Sequence, residues 1–214
     1  EPTYSGCAYI FVRTETNWDQ QAKIKASDPA SSDYFGITVA ISGNYAIAGS
    51  IYADDPVTSS GEAHIFTRSG TTWTQQKILA SDVDSGDAFS RGGVDINGDY
   101  AIIGSHQKNE SRGSAYIFKR SGTTWTQQIK LKASDAATDD NFGWNAGAIS
   151  GAHVIVGAYG NDDAGSTSGS AYIFSGSYGT SIGTRQVEKW DSNINLDVSG
   201  NIYFSGDIIK NGSV

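Results

Sequence analysis

The chain has 214 residues, 15 basic and 23 acidic side chains for a net charge of −8, 26 glycines, one cysteine and no methionine. The acidic balance argues against non-specific binding to nucleic acid or to anionic membranes. A lone Cys7 excludes an internal disulfide, and no apolar run approaches the roughly 20 residues that cross a bilayer as a helix. Five Trp, eleven Tyr and eight Phe offset a modest apolar share of 38%, because aromatic rings bury much area per side chain. The absence of Met implies that Glu1 is not a translation start and predicts removal of a leader or larger precursor.

In chain order, the first predicted strands are Cys7–Arg13 and Trp18–Ala26. Phe35–Ser42 and Tyr45–Ser50 follow, joined at Gly43-Asn44, a tight-turn pair. A polar loop over 51–60 leads to strands Glu62–Arg68 and Thr72–Ala80. The same four-strand order recurs over 89–133 and from 142 to about 190. The string Ser69-Gly-Thr-Thr-Trp-Thr-Gln-Gln76 returns unchanged at 121–128, and a worn copy lies at 16–21. Gly6, Gly61, Gly113 and Gly169 open equivalent strings at intervals of 55, 52 and 56 residues. A repeat of this length with four short antiparallel strands and no helical period predicts the blades of an all-β propeller. The first two strands of each unit are the more continuously apolar, which predicts burial on both faces, with the last two nearer the rim.

The N-terminal pair matches only the third and fourth strands of a unit. The missing pair is echoed at the other end, where Leu196–Asp207 aligns with Val39–Ser50 through a shared Ser-Gly-Asn and a later Gly. These lengths predict about four four-stranded blades: a half-blade at 1–27, blades at 28–81, 82–134 and 135–190, and a C-terminal strand pair at 191–214. That pair would close the propeller or join a neighbouring copy, with Ile202 and Phe204 in the places of Tyr45 and Ile47. Trp18, Trp73 and Trp125 are expected at equivalent fourth-strand positions, packed between blades.

Phe35-Gly36, then Val39-Ala-Ile-Ser-Gly-Asn44 and Ala46-Ile-Ala-Gly-Ser50 with an Asp-bearing loop, resemble the FG-GAP repeat of integrin-α-type propellers. Phe142-Gly143 with Val154–Tyr159 is similar, whereas Phe89 is followed by Ser90. The likeness covers roughly residues 1–175. It implies a propeller that binds a protein or glycan through loops on one face, in a cell-surface or extracellular setting. It also implies structural calcium in the loop after the second strand, a hard cation held by oxygens. The matching loops are Asp54-Asp55, His106–Arg112, which keeps only Glu110, and Asn161-Asp162-Asp163. A shorter likeness of Leu196–Ile202 to phage and giant-virus fibre proteins points to a virion surface.

Acidic residues recur before each Phe, at Asp28 and Asp33, at Asp82, Asp84 and Asp87, and at Asp135, Asp139 and Asp140. Recurrence in every unit predicts turns rather than one active site. His64 stands where other units have Tyr9, Tyr116 and Tyr172, and His153 where they have Tyr45 and Tyr100. His106 has no acidic or Cys motif around it, so no catalytic dyad is read and the chain is expected not to be an enzyme. Cys7 occupies the position of Glu62, Ser114 and Ser170, which predicts a thiol near the surface. Asn109-Glu-Ser111 and Asn211-Gly-Ser213 are glycosylation sequons. Two non-enzymatic functions follow: a recognition module, or a structural subunit of a filament, fibre or capsid assembled from copies of itself by strand exchange.

Overall fold

The computed structural model describes residues 2–145 and 147–176 and the backbone of the strand at 186–191. The described residues form an N-terminal pair and three four-stranded sheets. The pair is β1 (Ala8–Thr14) and β2 (Asn17–Ile24). The first full blade holds β3 (Val39–Ser42), β4 (Tyr45–Ser50), β5 (Glu62–Ser69) and β6 (Thr72–Ile78). The second holds β7 (Val94–Asn97), β8 (Tyr100–Ser105), β9 (Ser114–Ser121) and β10 (Thr124–Leu131). The third holds β11 (Ala148–Ser150), β12 (His153–Ala158), β13 (Ser170–Ser175) and β14 (Gln186–Asp191). Every neighbouring pair is antiparallel and joined in chain order, the meander of a propeller blade.

Period-two alternation decides which blade interface each side chain enters. On β4, Ala46 and Ala48 face the N-terminal pair with Phe66, Ile10 and Ile24, while Ile47 faces the second blade. On β8, Ala101 and Ile103 face the first blade and Ile102 faces the third. The chain therefore has no single core. Three apolar layers lie between successive sheets, and each is closed by a buried Phe (Phe35, Phe89 or Phe142) that enters before the first strand. The glycines that mark the repeat make this possible. Gly61 has φ +72, and a Cβ there would lie 2.3 Å from the Phe89 carbonyl; at Gly113, φ +83, the corresponding gap to Phe142 is 1.9 Å.

Two expectations need correction. The most buried strands are the second and third of each blade, β4 and β5 or β8 and β9, not the first two. Central strands have neighbours at both edges and sheets on both faces, whereas β3, β7 and β11 are short and partly open. Consistent with this, Glu62, Ser114 and Ser170 are buried and Cys7 is half-buried, so its strand position is not a surface one.

The three tryptophans do share a register, paired with Arg13, Arg68 and Arg120. Their surroundings differ. Trp125 is buried and meets Tyr45 edge-on at 5.7 Å, and Trp73 is half-buried with its indole N–H donating to Gln21 Oε1 at 3.1 Å. Trp18 is 67% exposed, because among the described residues no blade precedes the N-terminal pair. Ile41 is 58% exposed where its equivalents Ile96 and Ile149 are buried, because among the described residues the N-terminal pair has no first and second strands to face it. Residues 192–214, with Ile202 and Phe204, lie outside the described residues.

Candidate functional site

The start of each first strand and the end of each second strand lie at the same end of a blade, since Val39 pairs with Ala48 and Val94 with Ile103. The loops at this end carry a run of aromatic side chains across the three blades. Tyr4 stacks on Tyr34 at 5.8 Å and 10°, and Tyr34 meets Tyr52 edge-on at 5.8 Å. The Arg91 guanidinium lies 5.3 Å from the Tyr52 ring centroid. Beyond Arg91, His106 packs edge-on against Trp144 at 4.2 Å, and Trp144 against Tyr159 at 5.3 Å. Tyr4, Tyr34, Trp144 and Tyr159 remain substantially exposed, whereas His106 is buried beneath them. Burial, helped by the positive charge of Arg91, lowers the His106 pKa to about 4, so this imidazole is neutral at ordinary pH.

A second set of side chains ties each acidic linker to the blade that follows it. Tyr116 donates to Asp82 Oδ1 at 2.8 Å, and Tyr172 to Asp135 Oδ1 at 2.6 Å. Burial and these hydrogen bonds raise both tyrosine pKa values far above normal. Lys130 also binds Asp82. In the first blade His64 replaces the tyrosine and bonds Glu62 Oε1 at 2.8 Å, both side chains being buried. The Lys77 ammonium then gathers Asp28 at 2.6 Å, Glu62 at 2.9 Å and Asp55 at 3.0 Å. Its hydrogen bond, acting against burial, lowers the Asp28 pKa. The linker turns are built alike. Asp33, Asp87 and Asp140 are buried, and each accepts a backbone N–H three residues earlier, from Ala30, Asp84 and Ala137 at 2.6 to 2.7 Å.

Of the residues expected to hold calcium, Asp54 and Asp55 of the first loop are turned to other partners, while Asn161, Asp162 and Asp163 lie side by side in the third. Asp54 accepts the Ser59 N–H at 2.7 Å, and Asp55 belongs to the Lys77 cluster. Asn161 is buried, with its Oδ1 accepting from Ser170 Oγ at 2.8 Å, and Asp162 and Asp163 are exposed beside it. Among the described residues, one group of three acidic or histidine side chains has ligand atoms within 4.8 Å of one another: Asp28, Glu62 and His64. It does not fit calcium, because an ammonium already lies within 3.0 Å of both its carboxylates and one donor is a histidine nitrogen. Asn109 is exposed within the turn at Lys108–Ser111, and Asn211 lies outside the described residues.

Reading the sequence missed the Glu62–His64–Lys77 group. The available signal was that Glu62 and His64 depart together, in one blade, from the Ser and Tyr of their equivalents. The aromatic face was missed as well, since the positions it uses change residue type from blade to blade, as in Ile37, Arg91 and Trp144 two residues after each Phe.

The profile of the FG-GAP repeat matches residues 18–66, 73–118 and 125–174. Each match runs from a fourth-strand Trp to a third-strand Phe, so the unit it recognises straddles two blades. The matches end at residue 174, and the expected likeness of Leu196–Ile202 to fibre proteins is not shown. No curated protein matches the chain. Among the described residues no helix is long and apolar enough to cross a membrane.

Proposed function

Since the chain belongs to the FG-GAP repeat family, we propose that it is a non-enzymatic recognition module of the adhesion type, working outside the cell or on a virion surface. The observation that carries this reading is the set of aromatic side chains at one end of the three blades, Tyr4, Tyr34 and Tyr52 with Arg91, and Trp144 and Tyr159 over buried His106. Exposed aromatic rings and arginine are the side chains that dominate binding energy at recognition surfaces. Flat rings of this kind suit a glycan or an extended protein segment. The rigid sheets beneath hold them without a large ordering cost. Calcium enters this proposal only as a structural ion at Asn161, Asp162 and Asp163. The test is binding of the labelled protein to a printed glycan array and to intact cells, with Trp144→Ala and Tyr34→Ala beside the parent. Loss of binding at unchanged melting temperature supports the face; undiminished binding by both variants rejects it.

A second reading, the structural subunit, is favoured by the open end of the array. Trp18, Tyr9 and Phe11 are exposed on the outer face of the N-terminal pair, while their counterparts Trp125, Tyr116 and Phe118 are buried against a preceding blade. Ile155, the counterpart of buried Ile47 and Ile102, is exposed on the outer face of the last blade. Two such faces from different copies are complementary by the logic of the repeat. A mass measurement in solution separates a monomer from a head-to-tail assembly.

A further inference from the structure

We infer that lysine ammoniums have taken the place of calcium in the first two blades, with Lys108 and Lys77 acting as resident cations. Lys108 lies in the second of the loops where the family resemblance implies calcium, at the position of Ala53 in the first blade and Asn161 in the third. All three residues are buried. From there the Lys108 side chain reaches back to the linker before β7. Its ammonium donates to the Asp82 carbonyl, to Asp84 Oδ2 at 2.8 Å and to Asp87 Oδ2 at 2.6 Å. Three N–H donors thus meet three oxygens, which satisfies the ammonium in full. In the first blade the cation comes from β6 instead of the loop: the Lys77 ammonium meets Asp55 of the loop together with Asp28 and Glu62.

This placement explains a peculiarity of the second loop. His106–Arg112 has lost every aspartate and keeps only an exposed Glu110. A calcium ion there would meet a buried positive charge, and the nearest carboxylates, Asp84 and Asp87, are already committed to it. The lysine performs the mechanical task that a loop-bound ion would perform, tying the loop after the second strand to the blade's own linker. Because the cation is covalently part of the chain, no chelator can remove it. The inference goes beyond the recognition reading, and the two fail separately, because its readout is stability and metal uptake rather than ligand binding.

The experiment compares thermal melts and radioactive-calcium dialysis of the full chain in millimolar calcium chloride and in excess chelator, alongside Lys108→Met and Lys108→Arg. Any response of the parent to calcium is expected to come from the third blade alone, so Asp163→Asn should melt at the same temperature in both conditions. Lys108→Met should fall by roughly 5–10 °C, since it leaves a buried carboxylate uncompensated, and should regain part of the loss on adding calcium. Lys108→Arg, which keeps the charge, should fall less than Lys108→Met and respond to calcium no more than the parent does. Calcium uptake by the parent that is abolished by Asp163→Asn and untouched by Asp87→Asn supports the inference, because it confines the ion to the third blade. Uptake abolished by Asp87→Asn or Asp55→Asn overturns it, as does a Lys108→Met variant that melts like the parent.

Discussion

Replacing Trp125, Trp73 and Trp18 by alanine, one at a time, measures how far each blade interface is covered. The three residues share one strand register, Trp73 and Trp125 within one local sequence and Trp18 within a worn copy of it, so the differences report mainly their surroundings. Trp125 is 3% exposed and packs against Tyr45, which also receives the Arg120 guanidinium 4.7 Å from its ring centroid. The bridge from Gln76 to Trp125 uses backbone atoms, with Gln76 Nε2 donating to the Trp125 carbonyl at 2.8 Å and Gln76 Oε1 accepting its N–H at 2.9 Å. Alanine keeps both bonds, so Trp125→Ala loses packing only and should cost about 3–5 kcal/mol. Half-buried Trp73 loses less area and one hydrogen bond, to Gln21, for about 1–3 kcal/mol. Trp18, on an open face, should cost no more than about 0.5 kcal/mol. Urea melts with a common m-value read the three numbers directly. Equal costs at all three positions would refute the graded burial. A cost at Trp18 equal to that at Trp73 would mean that a further strand pair or a second copy covers this face in solution.

Other consequences are as direct. The folded pKa of His106, about 4, lies below the ordinary 6.5, so the unfolded chain binds this proton more readily. The stability it contributes is complete above pH 6.5 and is lost as pH falls toward 4, by about 2–3 kcal/mol between pH 7 and 4.5. His106→Phe, which keeps a ring against Trp144 and cannot titrate, should flatten that slope in urea melts at the two pH values. Deleting residues 191–214 is expected to cause unfolding or aggregation if the segment covers β1 and Ile41, because an open strand edge and bare apolar side chains invite pairing with other molecules. A truncated chain that stays monomeric, by light scattering, and as stable as the parent would show the segment to be an independent appendage.

The fold was legible because a propeller writes its geometry once per blade. Gly61 and Gly113 recur for a backbone reason: a side chain at either would collide with the Phe of the next blade, so the spacing of the glycines is the spacing of the blades. Asp33, Asp87 and Asp140 recur because each closes the same turn, and repetition distinguishes such a turn from a site. The contrast between strands was harder to read. Alternating Ala and Ile on β4 look less apolar than a core strand should, yet Ala46 and Ala48 are buried with Phe66 against Ile10 and Ile24 of the N-terminal pair.

The candidate sites were less legible because they depend on departures from the repeat. Arg91 and Trp144 share one repeat position that holds Ile37 in the first blade, Tyr4, Tyr34 and Tyr159 come from others, and the common end of the blades assembles them. The charged groups follow the same rule. Replacing Tyr by His at position 64 removes the hydroxyl that would bind Asp28, and the paired change to Glu62 gives the imidazole a partner. Lys77 then collects the freed Asp28 together with Glu62 and Asp55. Each change taken alone would leave a buried group unsatisfied, at a cost of about 1–3 kcal/mol. Taken together they exchange one satisfied network for another. In a repeat protein, simultaneous departures of neighbouring positions within one unit are therefore the sequence feature that marks a rebuilt polar cluster, and Lys108 facing Asp84 and Asp87 is a second case of a cation supplied by the chain itself.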